Sequence, residues 1–295
     1  MTIVVVTGAS GRIGKSVAQH LVEAGHEVRA VDMQQPAGAP SWASGPRIEW
    51  TLLDLQSADA ADRLKAVCEG ASALVHLAAV PDDAPFIERL VPINIVGLFQ
   101  VLEAARESPS ISRVVVASSG KIMYGYGYGD GSTSSMPLQA GTPPQPICMY
   151  GATKMFAEGA SQALAFARPG TQVIAVRFAW CPRTTADVRN LEQGGSGAGV
   201  AIDEYLSPRD AGSFCLAAVT ARLPPELSYR VLACCSKVPA GGVVRWDLSD
   251  ARDLLGWEPQ DTFPEGVADI LADNESGYTN VDGLFTHSSE ALLGD

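Results

Sequence analysis

The feature that most limits the fold is an alternation of short apolar, β-rich runs with amphipathic helical stretches. The clearest strand-like runs are TIVVVTG (2–8), EVRAVD (27–32), ALVHLAA (73–79), SRVVVASS (112–119) and QVIAVRF (172–178). The stretches between them, such as 15–25 and 150–168, have apolar residues at helical spacing. This alternation predicts an α/β fold in which helices cover both faces of a parallel sheet.

The alternation weakens after about residue 178. The glycine-rich stretch 192–204 predicts a loop, and a helix over 207–221 and a strand over 229–236 follow it. We therefore expect a main domain over 1–177, to which the strand 229–236 returns, and a small C-terminal region over 178–295 that binds the substrate.

Composition excludes several classes of protein. The 295 residues carry a formal net charge of -12, and no basic run interrupts them, so nucleic acid and anionic membranes are not expected partners. No apolar stretch approaches the roughly 20 residues of a membrane span, and the apolar start is too short for a signal peptide. The six cysteines form no C-x-x-C pair and the four histidines show no ligand spacing, so we expect free thiols, a cytoplasmic location and no metal.

A glycine-rich loop, TGASGRIG, links the first predicted strand to the first predicted helix. Gly8, Gly11 and Gly14 allow a tight turn and a close approach of the backbone. The N–H groups that begin the helix, together with its dipole, favour a pyrophosphate. The loop therefore predicts a dinucleotide site that also includes Ser10, Arg12 and Ile13.

Asp32 strengthens this prediction. It ends the second strand, 18 residues after Gly14, where a carboxylate can accept hydrogen bonds from both hydroxyls of a ribose. A carboxylate at this position repels a 2′-phosphate, so NAD is favoured over NADP. Asp54 and Leu55, after the third strand, are expected to frame the adenine. Leu77, Ala78 and Ala79 follow the fourth strand as small or apolar neighbours of the cofactor, whereas His76 is expected to be structural.

Tyr150 and Lys154 in MYGATK lie four residues apart, on one face of a predicted helix. A free tyrosine has a pKa of about 10, and lowering it to about 7 requires about 4 kcal/mol of differential stabilisation. A nearby ammonium and a positive nicotinamide ring are sources of that stabilisation. Ser119, at the end of a strand, is placed to hold a reacting hydroxyl group against the phenolate.

Together these motifs resemble the extended short-chain dehydrogenase/reductase superfamily, in its NAD-dependent epimerase/dehydratase group. The resemblance covers most of the chain and rests on TGASGRIG, Asp32, HLAA, ASS, YGATK and LSDARDLLGWEP. It implies a Rossmann-type, doubly wound parallel sheet that binds NAD. It also implies that Ser119 and Tyr150 bind and deprotonate a substrate hydroxyl, that Lys154 holds the nicotinamide ribose, and that Asn94 belongs to the cofactor site.

Within that group the chain is similar to bacterial uronate dehydrogenases, through PFIERLVPINIVGLFQVLEAAR, MYGATKMFAEG and VRFAWCP. This resemblance implies oxidation of the anomeric carbon of a hexuronate, with Arg189 near the position of a carboxylate-binding arginine. The chain departs from those enzymes at Gly120 and Lys121, where they have Asn-His, and at Pro81, where they have a serine. We expect Ser119, Gly120, Lys121 and Arg189 to contact the substrate, although Lys121 and Arg189 could instead be surface residues.

Three functions are compatible with these observations. The first is an NAD-dependent dehydrogenase acting on a sugar or sugar acid, in which the loops 124–146 and 192–204 exclude water. The second is a nucleotide-sugar epimerase or dehydratase with bound NAD, and the third is a non-catalytic dinucleotide sensor. The long helices 93–107 and 150–168 often pair between subunits in this superfamily, so the resemblance also implies a homodimer.

Overall fold

The computed structural model describes residues 1–35, 41–127, 137–182, 185–194 and 198–267. Within them, seven strands form one sheet in the order β3-β2-β1-β4-β5-β6-β7, and every neighbouring pair is parallel. The strands are β1 (Ile3–Thr7), β2 (Glu27–Asp32), β3 (Ile48–Leu52), β4 (Ala73–His76), β5 (Arg113–Ser119), β6 (Gln172–Phe178) and β7 (Tyr229–Cys234). The predicted α/β fold of the Rossmann type is confirmed.

Helices follow most of the strands and return the chain from the carboxyl end of one strand to the amino end of the next. They are α1 (Arg12–Glu23), α2 (Ala60–Cys68), α3 (Leu98–Glu107), α4 (Met149–Ala167), α5 (Thr185–Glu192), α6 (Ala198–Asp203), α7 (Pro208–Thr220) and α8 (Ser249–Leu255). Short 3₁₀ helices span Ser41–Ser44 and Gly120–Tyr126. Helix α8 ends at Gly256, whose φ of 65° suits the left-handed residue that terminates a helix.

The sheet is buried on both faces, which explains the continuous valine runs of its strands. On β1, Val4 and Val6 pack in the apolar cluster that includes α1 and α7, whereas Val5 packs in the cluster of α2, α3 and α4. Successive strands are added on one side of β1 up to β3 and on its other side from β4 onward. The helix after β1 covers one face of the sheet, and the helix after β4 covers the other. A crevice forms at such a switch point, at the carboxyl ends of the strands.

Two segments differ from the sequence-based expectation. The helix predicted from residue 93 instead begins as a π-helical segment, Phe86–Gly97, and continues as α3. Pro92 lies inside this segment and has no N–H to donate to a regular helix. The loop predicted for 192–204 is wrong in part, because residues 198–203 form α6, while residues 195–197 lie outside the described residues.

The domain boundary after residue 177 stays a prediction. Strand β7 pairs with β6 in register from Val173 opposite Tyr229 to Phe178 opposite Cys234, so the chain returns to the main sheet after the C-terminal region has begun. Residues 268–295, the end of that predicted region, lie outside the described residues, as do residues 128–136 of the predicted loop 124–146.

Candidate active site

A cavity of about 290 Å³ opens at the carboxyl ends of the strands, at the switch point between β1 and β4. One part of its lining, here called the glycine end, is the loop from Gly8 to Gly14. Another part, here called the tyrosine end, consists of Asp82, Tyr150 and the segment from Ser119 to Lys121. The two ends come from segments far apart in sequence, and the parallel sheet brings them to one edge.

The backbone of the glycine end is packed so closely that a side chain does not fit at Gly8 or Gly14. A Cβ on Gly8, whose φ is 72°, would lie 2.6 Å from the backbone nitrogen of Ala78, and a Cβ on Gly14 would lie 2.0 Å from the carbonyl oxygen of Gly8. The loop backbone therefore lies directly against the end of β4 and the start of α1. Arg12, Ile13 and Gly14 line the cavity at the first turn of α1, where helix N–H groups favour a phosphate.

Asp32 is fixed by the same loop. One carboxylate oxygen accepts a hydrogen bond from the N–H of Ser10 at 2.9 Å, and the other accepts from the N–H of Met33 at 2.7 Å. Burial raises the pKa of Asp32, and the hydrogen bonds from Ser10 and Met33 act in the opposite direction. The side chain is only half-buried, so lone pairs remain for the hydroxyls of a ribose.

The other residues predicted to bind the cofactor divide into two groups. Leu77 and Ala79 line the cavity, and Ala78 contacts Gly8 as described above. Asp54 is exposed and accepts a hydrogen bond from the N–H of Gln56, while Leu55 is buried beside Gly97; neither is in the cavity lining. Their adenine contacts stay predictions.

Asn94 is buried and lies outside the described cavity lining, and its contact with the cofactor stays a prediction. Its side-chain oxygen accepts from the N–H of Val80, and its amide nitrogen donates to the carbonyl of Val80 and to the hydroxyl of Thr153. Because these bonds occupy the buried amide, Asn94 joins the end of β4 to α4 and does not face the cavity. It thereby fixes the helix that bears Tyr150 and Lys154.

Tyr150 lies in the first turn of α4, at the tyrosine end of the cavity. Its N–H donates to a carboxylate oxygen of Asp83 at 2.8 Å, and the thiol of Cys148 caps the same turn by accepting from the N–H of Gly151. The ring is 7% exposed, so a phenol that faces the cavity is otherwise enclosed by protein. The start of α4 is thus anchored to the loop after β4.

Lys154 lies one turn further along α4, with its ammonium nitrogen 5.7 Å from the centroid of the Tyr150 ring. The nitrogen donates a hydrogen bond to the carbonyl of Ala117 at 3.0 Å, which holds it at the end of β5. Burial lowers the pKa of Lys154 to about 8. The predicted pairing of a tyrosine with a buried amine beside the cavity is therefore present in the structure.

His76 is a structural residue, as expected. Its ring is buried, shares a hydrogen bond of 2.7 Å with the hydroxyl of Thr7, and has a pKa lowered to about 3 by burial and by the charge of Lys154. A neutral imidazole beside Lys154 adds no second positive charge to the site.

Ser119 and Lys121 are coupled at the end of β5. The hydroxyl of Ser119 accepts a hydrogen bond from the N–H of Lys121 at 3.2 Å, and both residues line the cavity. The ammonium nitrogen of Lys121 lies 5.9 Å from the centroid of the Tyr150 ring and forms an ion pair with Asp82. Lys121 is therefore a residue of the site, although its partner is another side chain.

Gly120 has a packing reason that the sequence does not reveal. A Cβ at this position would lie 3.0 Å from Cζ2 of Trp246, whose buried ring comes from the C-terminal region. The aromatic ring occupies the volume into which a side chain at position 120 would extend. This chain therefore has glycine at position 120, where the uronate dehydrogenases have asparagine, and the ring of Trp246 packs against that position.

Two predicted arginine assignments have different outcomes. Arg189 lies on α5 with an exposed side chain, and it does not belong to the cavity lining among the described residues. Its contact with a substrate carboxylate stays a prediction without support from the geometry. Arg177 is buried and forms a two-bond ion pair with Glu158, at 2.9 and 3.0 Å, which identifies it as a structural residue.

Sequence reasoning missed several residues of the site. Asp82 and Tyr124 line the cavity but belong to no recognisable motif, and Phe178 and Trp180 line it from the stretch VRFAWCP without having been assigned to the site. Behind Tyr124, burial raises the pKa of Glu204 to about 7, and Tyr124 is its hydrogen-bonding partner. Asp82 and Tyr124 have no spacing signal, because Asp82 lies in the loop after β4 and Tyr124 in the 3₁₀ helix after β5.

Across the described ranges, every helix is too short or too polar to span a bilayer. In the same part of the chain, histidine, cysteine and acidic side chains form no group of three suited to hold a metal ion.

Residues 4–180 match the model of the NAD dependent epimerase/dehydratase family. Because this match covers more than half of the chain, the protein belongs to that family, and its cofactor is NAD. The residues present fit NAD: the glycine end leaves a cradle that a single Cβ would fill, and Asp32 offers its carboxylate to a ribose.

Several characterised proteins are similar in sequence or structure to this chain over most of its length. L-arabinose 1-dehydrogenase (NAD(P)(+)) of Haloferax volcanii is 29% identical over 269 residues, which cover 88% of this chain and 97% of the relative. Uronate dehydrogenase of Agrobacterium fabrum is 29% identical over 261 residues, covering 88% and 85%. A crystal structure of a mutant uronate dehydrogenase from Agrobacterium tumefaciens, complexed with NAD, has a TM-score of 0.67 at 26% identity and covers 92% of this chain and 89% of that one.

Proposed function

We propose that this protein is an NAD-dependent dehydrogenase that oxidises a hydroxyl group of a sugar or sugar acid. The observation that carries the proposal is that Ser119, Tyr150 and Lys154 line one cavity together with the glycine loop. Similarity to dehydrogenases of L-arabinose and of uronates supports a sugar as substrate and its anomeric hydroxyl as the reacting group.

Each side chain has a role that follows from its position. Ser119 orients the hydroxyl oxygen of the substrate toward Tyr150, whose phenolate form accepts the proton as the general base. The ammonium of Lys154 stabilises the phenolate through its charge at close range. NAD, when bound, supplies the acceptor for the hydride that leaves the same carbon.

A substrate panel tests this proposal and separates it from the epimerase alternative. The purified protein is incubated with NAD and, in turn, with L-arabinose, D-galactose, D-glucose, D-galacturonate, D-glucuronate and UDP-glucose. We expect NADH to accumulate with at least one free sugar, in proportion to the sugar consumed. Conversion of UDP-glucose into its epimer without net NADH, and silence with every free sugar, would contradict the proposal.

We further propose that the protein forms a homodimer through the segment 86–107 and helix α4. Large apolar side chains are exposed on both: Ile87 and Phe99 are 66% and 54% exposed, and Met155 and Phe156 are 39% and 40% exposed. Exposed apolar patches of this kind mark interaction surfaces. Sedimentation velocity is expected to give a dimer that Phe99→Asp converts to a monomer, whereas Val244→Asp, an exposed apolar position in another region, leaves the dimer intact. A monomeric wild type would contradict this assignment.

We propose a cytoplasmic location as well. All six cysteines are free thiols, and a reducing compartment preserves that state.

A further inference from the structure

The tyrosine end contains an ion pair that neither the sequence motifs nor the proposed chemistry requires. Asp82, in the loop after β4, pairs with Lys121, in the 3₁₀ helix after β5, and both side chains line the cavity. They are 28% and 25% exposed, so each is partly accessible and partly shielded. The pair lies beside the reacting group, because Lys121 is 5.9 Å from the ring centroid of Tyr150 and the neighbouring Asp83 binds the N–H of Tyr150.

We propose that Asp82 determines specificity by occupying the ammonium of Lys121, so that the site selects a neutral aldose over a uronate. This inference rests on the proposed dehydrogenase function and names the class of sugar that the same site accepts. It makes the Asp82–Lys121 pair a receptor for hydroxyl groups rather than for a carboxylate.

Asp82 disfavours a carboxylate at this position through electrostatic repulsion. A substrate carboxylate that approaches Lys121 also approaches Asp82, and two negative charges a few ångströms apart repel each other in a partly shielded site. A sugar hydroxyl meets no such penalty, because it donates a hydrogen bond to the carboxylate of Asp82 and accepts one from the ammonium of Lys121.

The other two cations in the described lining bind main-chain carbonyls, and Arg12 belongs to the glycine end of the cavity. Arg12 donates to the carbonyl of Pro182, and Lys154 donates to the carbonyl of Ala117. Arg189, the cation expected to bind a carboxylate, is exposed on α5 and outside the described lining. Within the described residues, Lys121 is therefore the cation best placed to contact a substrate. The carboxylate of Asp82 determines which substrate groups Lys121 can bind.

D-Galactose and D-galacturonate provide a matched test, because they differ only at carbon 6, which is a hydroxymethyl group in the first and a carboxylate in the second. For the wild type, kcat/KM for galactose should exceed that for galacturonate at least tenfold. Asp82→Asn removes the negative charge at nearly constant shape and should shift this ratio at least tenfold toward galacturonate. Asp82→Glu retains the charge and should leave the preference for galactose in place.

Lys121→Met supplies a second variant with the opposite expectation. It removes the positive charge that pairs with Asp82 and retains the negative one, so the ratio should move further away from galacturonate. The NAD affinity and melting temperature of each variant report whether it is folded. A purely structural role for the pair would instead lower kcat/KM for both sugars equally.

The outcomes separate this inference from the function on which it rests. A wild type that prefers galacturonate, or an Asp82→Asn variant whose ratio equals that of Asp82→Glu, would overturn the role of Asp82 and leave the dehydrogenase intact. No NADH from any free sugar would overturn both. Should Asp82→Asn fail to fold, the wild-type preference and the direction of the Lys121→Met shift still decide the question.

Discussion

The glycine end of the cavity is built from backbone, whereas the tyrosine end is built from side chains that separate loops bring together. At the glycine end, Gly8 and Gly14 allow the loop to contact the start of α1 and the end of β4. At the tyrosine end, Asp82, Lys121 and Tyr150 meet through an ion pair and close approaches between side chains. The glycine end, to which we assign the cofactor, is thus fixed by local backbone geometry. The tyrosine end, to which we assign the substrate, depends instead on contacts between distant segments.

Gly14→Ala is expected to break the glycine end. The new Cβ would lie 2.0 Å from a backbone oxygen, so the loop must move, at a cost of about 3 kcal/mol or about a hundredfold in NAD affinity. Isothermal titration with NAD measures the loss. Gly141→Ala is the matched control, because no atom lies within 4 Å of its added Cβ. Equal NAD affinity in the two variants would contradict the close packing of the loop.

Lys154 lines the cavity between its two ends. Lys154→Met is expected to raise the free energy of unfolding while it removes activity. Burial lowers the pKa of Lys154 to about 8, below its unfolded value, so below pH 8 the buried ammonium destabilises the fold by roughly 3 kcal/mol. This penalty is fully present below pH 8 and disappears as the pH rises from about 8 toward the unfolded pKa of about 10.

Urea denaturation of Lys154→Met at pH 7 and at a pH near 10 checks this expectation. The gain in the free energy of unfolding should be large at pH 7 and small at the higher pH. Lys65→Met, which replaces an exposed lysine paired with Glu107, should show little gain at either pH. A gain for Lys154→Met that is independent of pH would show that the charge is not responsible.

Gly120→Ala makes the same chemical change as Gly14→Ala, but at the tyrosine end, and its effect should be smaller. The added Cβ would lie 3.0 Å from a ring atom of Trp246, which is a side chain and can shift. We expect the KM for the sugar to rise about threefold, with NAD affinity unchanged, because the loss is below about 1 kcal/mol. Steady-state kinetics and NAD titration separate the two effects, and a fall in NAD affinity would contradict the division of the cavity.

The same comparison explains what the sequence could predict. Strands β2 and β6 match their predicted ranges, and in β6 this is because a buried parallel strand has a continuous apolar run, here Val173–Val176. The glycine loop, Asp32 and the Tyr150–Lys154 pair were predicted because each depends on spacing along one strand or one helix. The family, the fold and the cofactor followed from these local patterns.

The rest depends on contacts between distant segments. Asp82 and Lys121 are 39 residues apart, and Trp246 comes from the C-terminal region, so no spacing in the sequence brings them together. Asn94 illustrates the same limit from the other side. Its motif predicted a contact with the cofactor, which stays a prediction, whereas the buried bonds to Val80 and Thr153 are visible only in the folded chain.

Turnover by Tyr150→Phe tests the central claim most directly, namely that this phenol takes the proton of a sugar hydroxyl beside bound NAD. The substitution removes one oxygen from a ring that is 7% exposed and leaves the glycine end untouched. We expect kcat/KM to fall about a thousandfold, with NAD affinity within about twofold of the wild type. Tyr126→Phe, whose hydroxyl instead donates to the carbonyl of Pro143, should retain activity. A Tyr150→Phe enzyme that kept more than about a tenth of wild-type activity would contradict the account, because a general base contributes far more than tenfold.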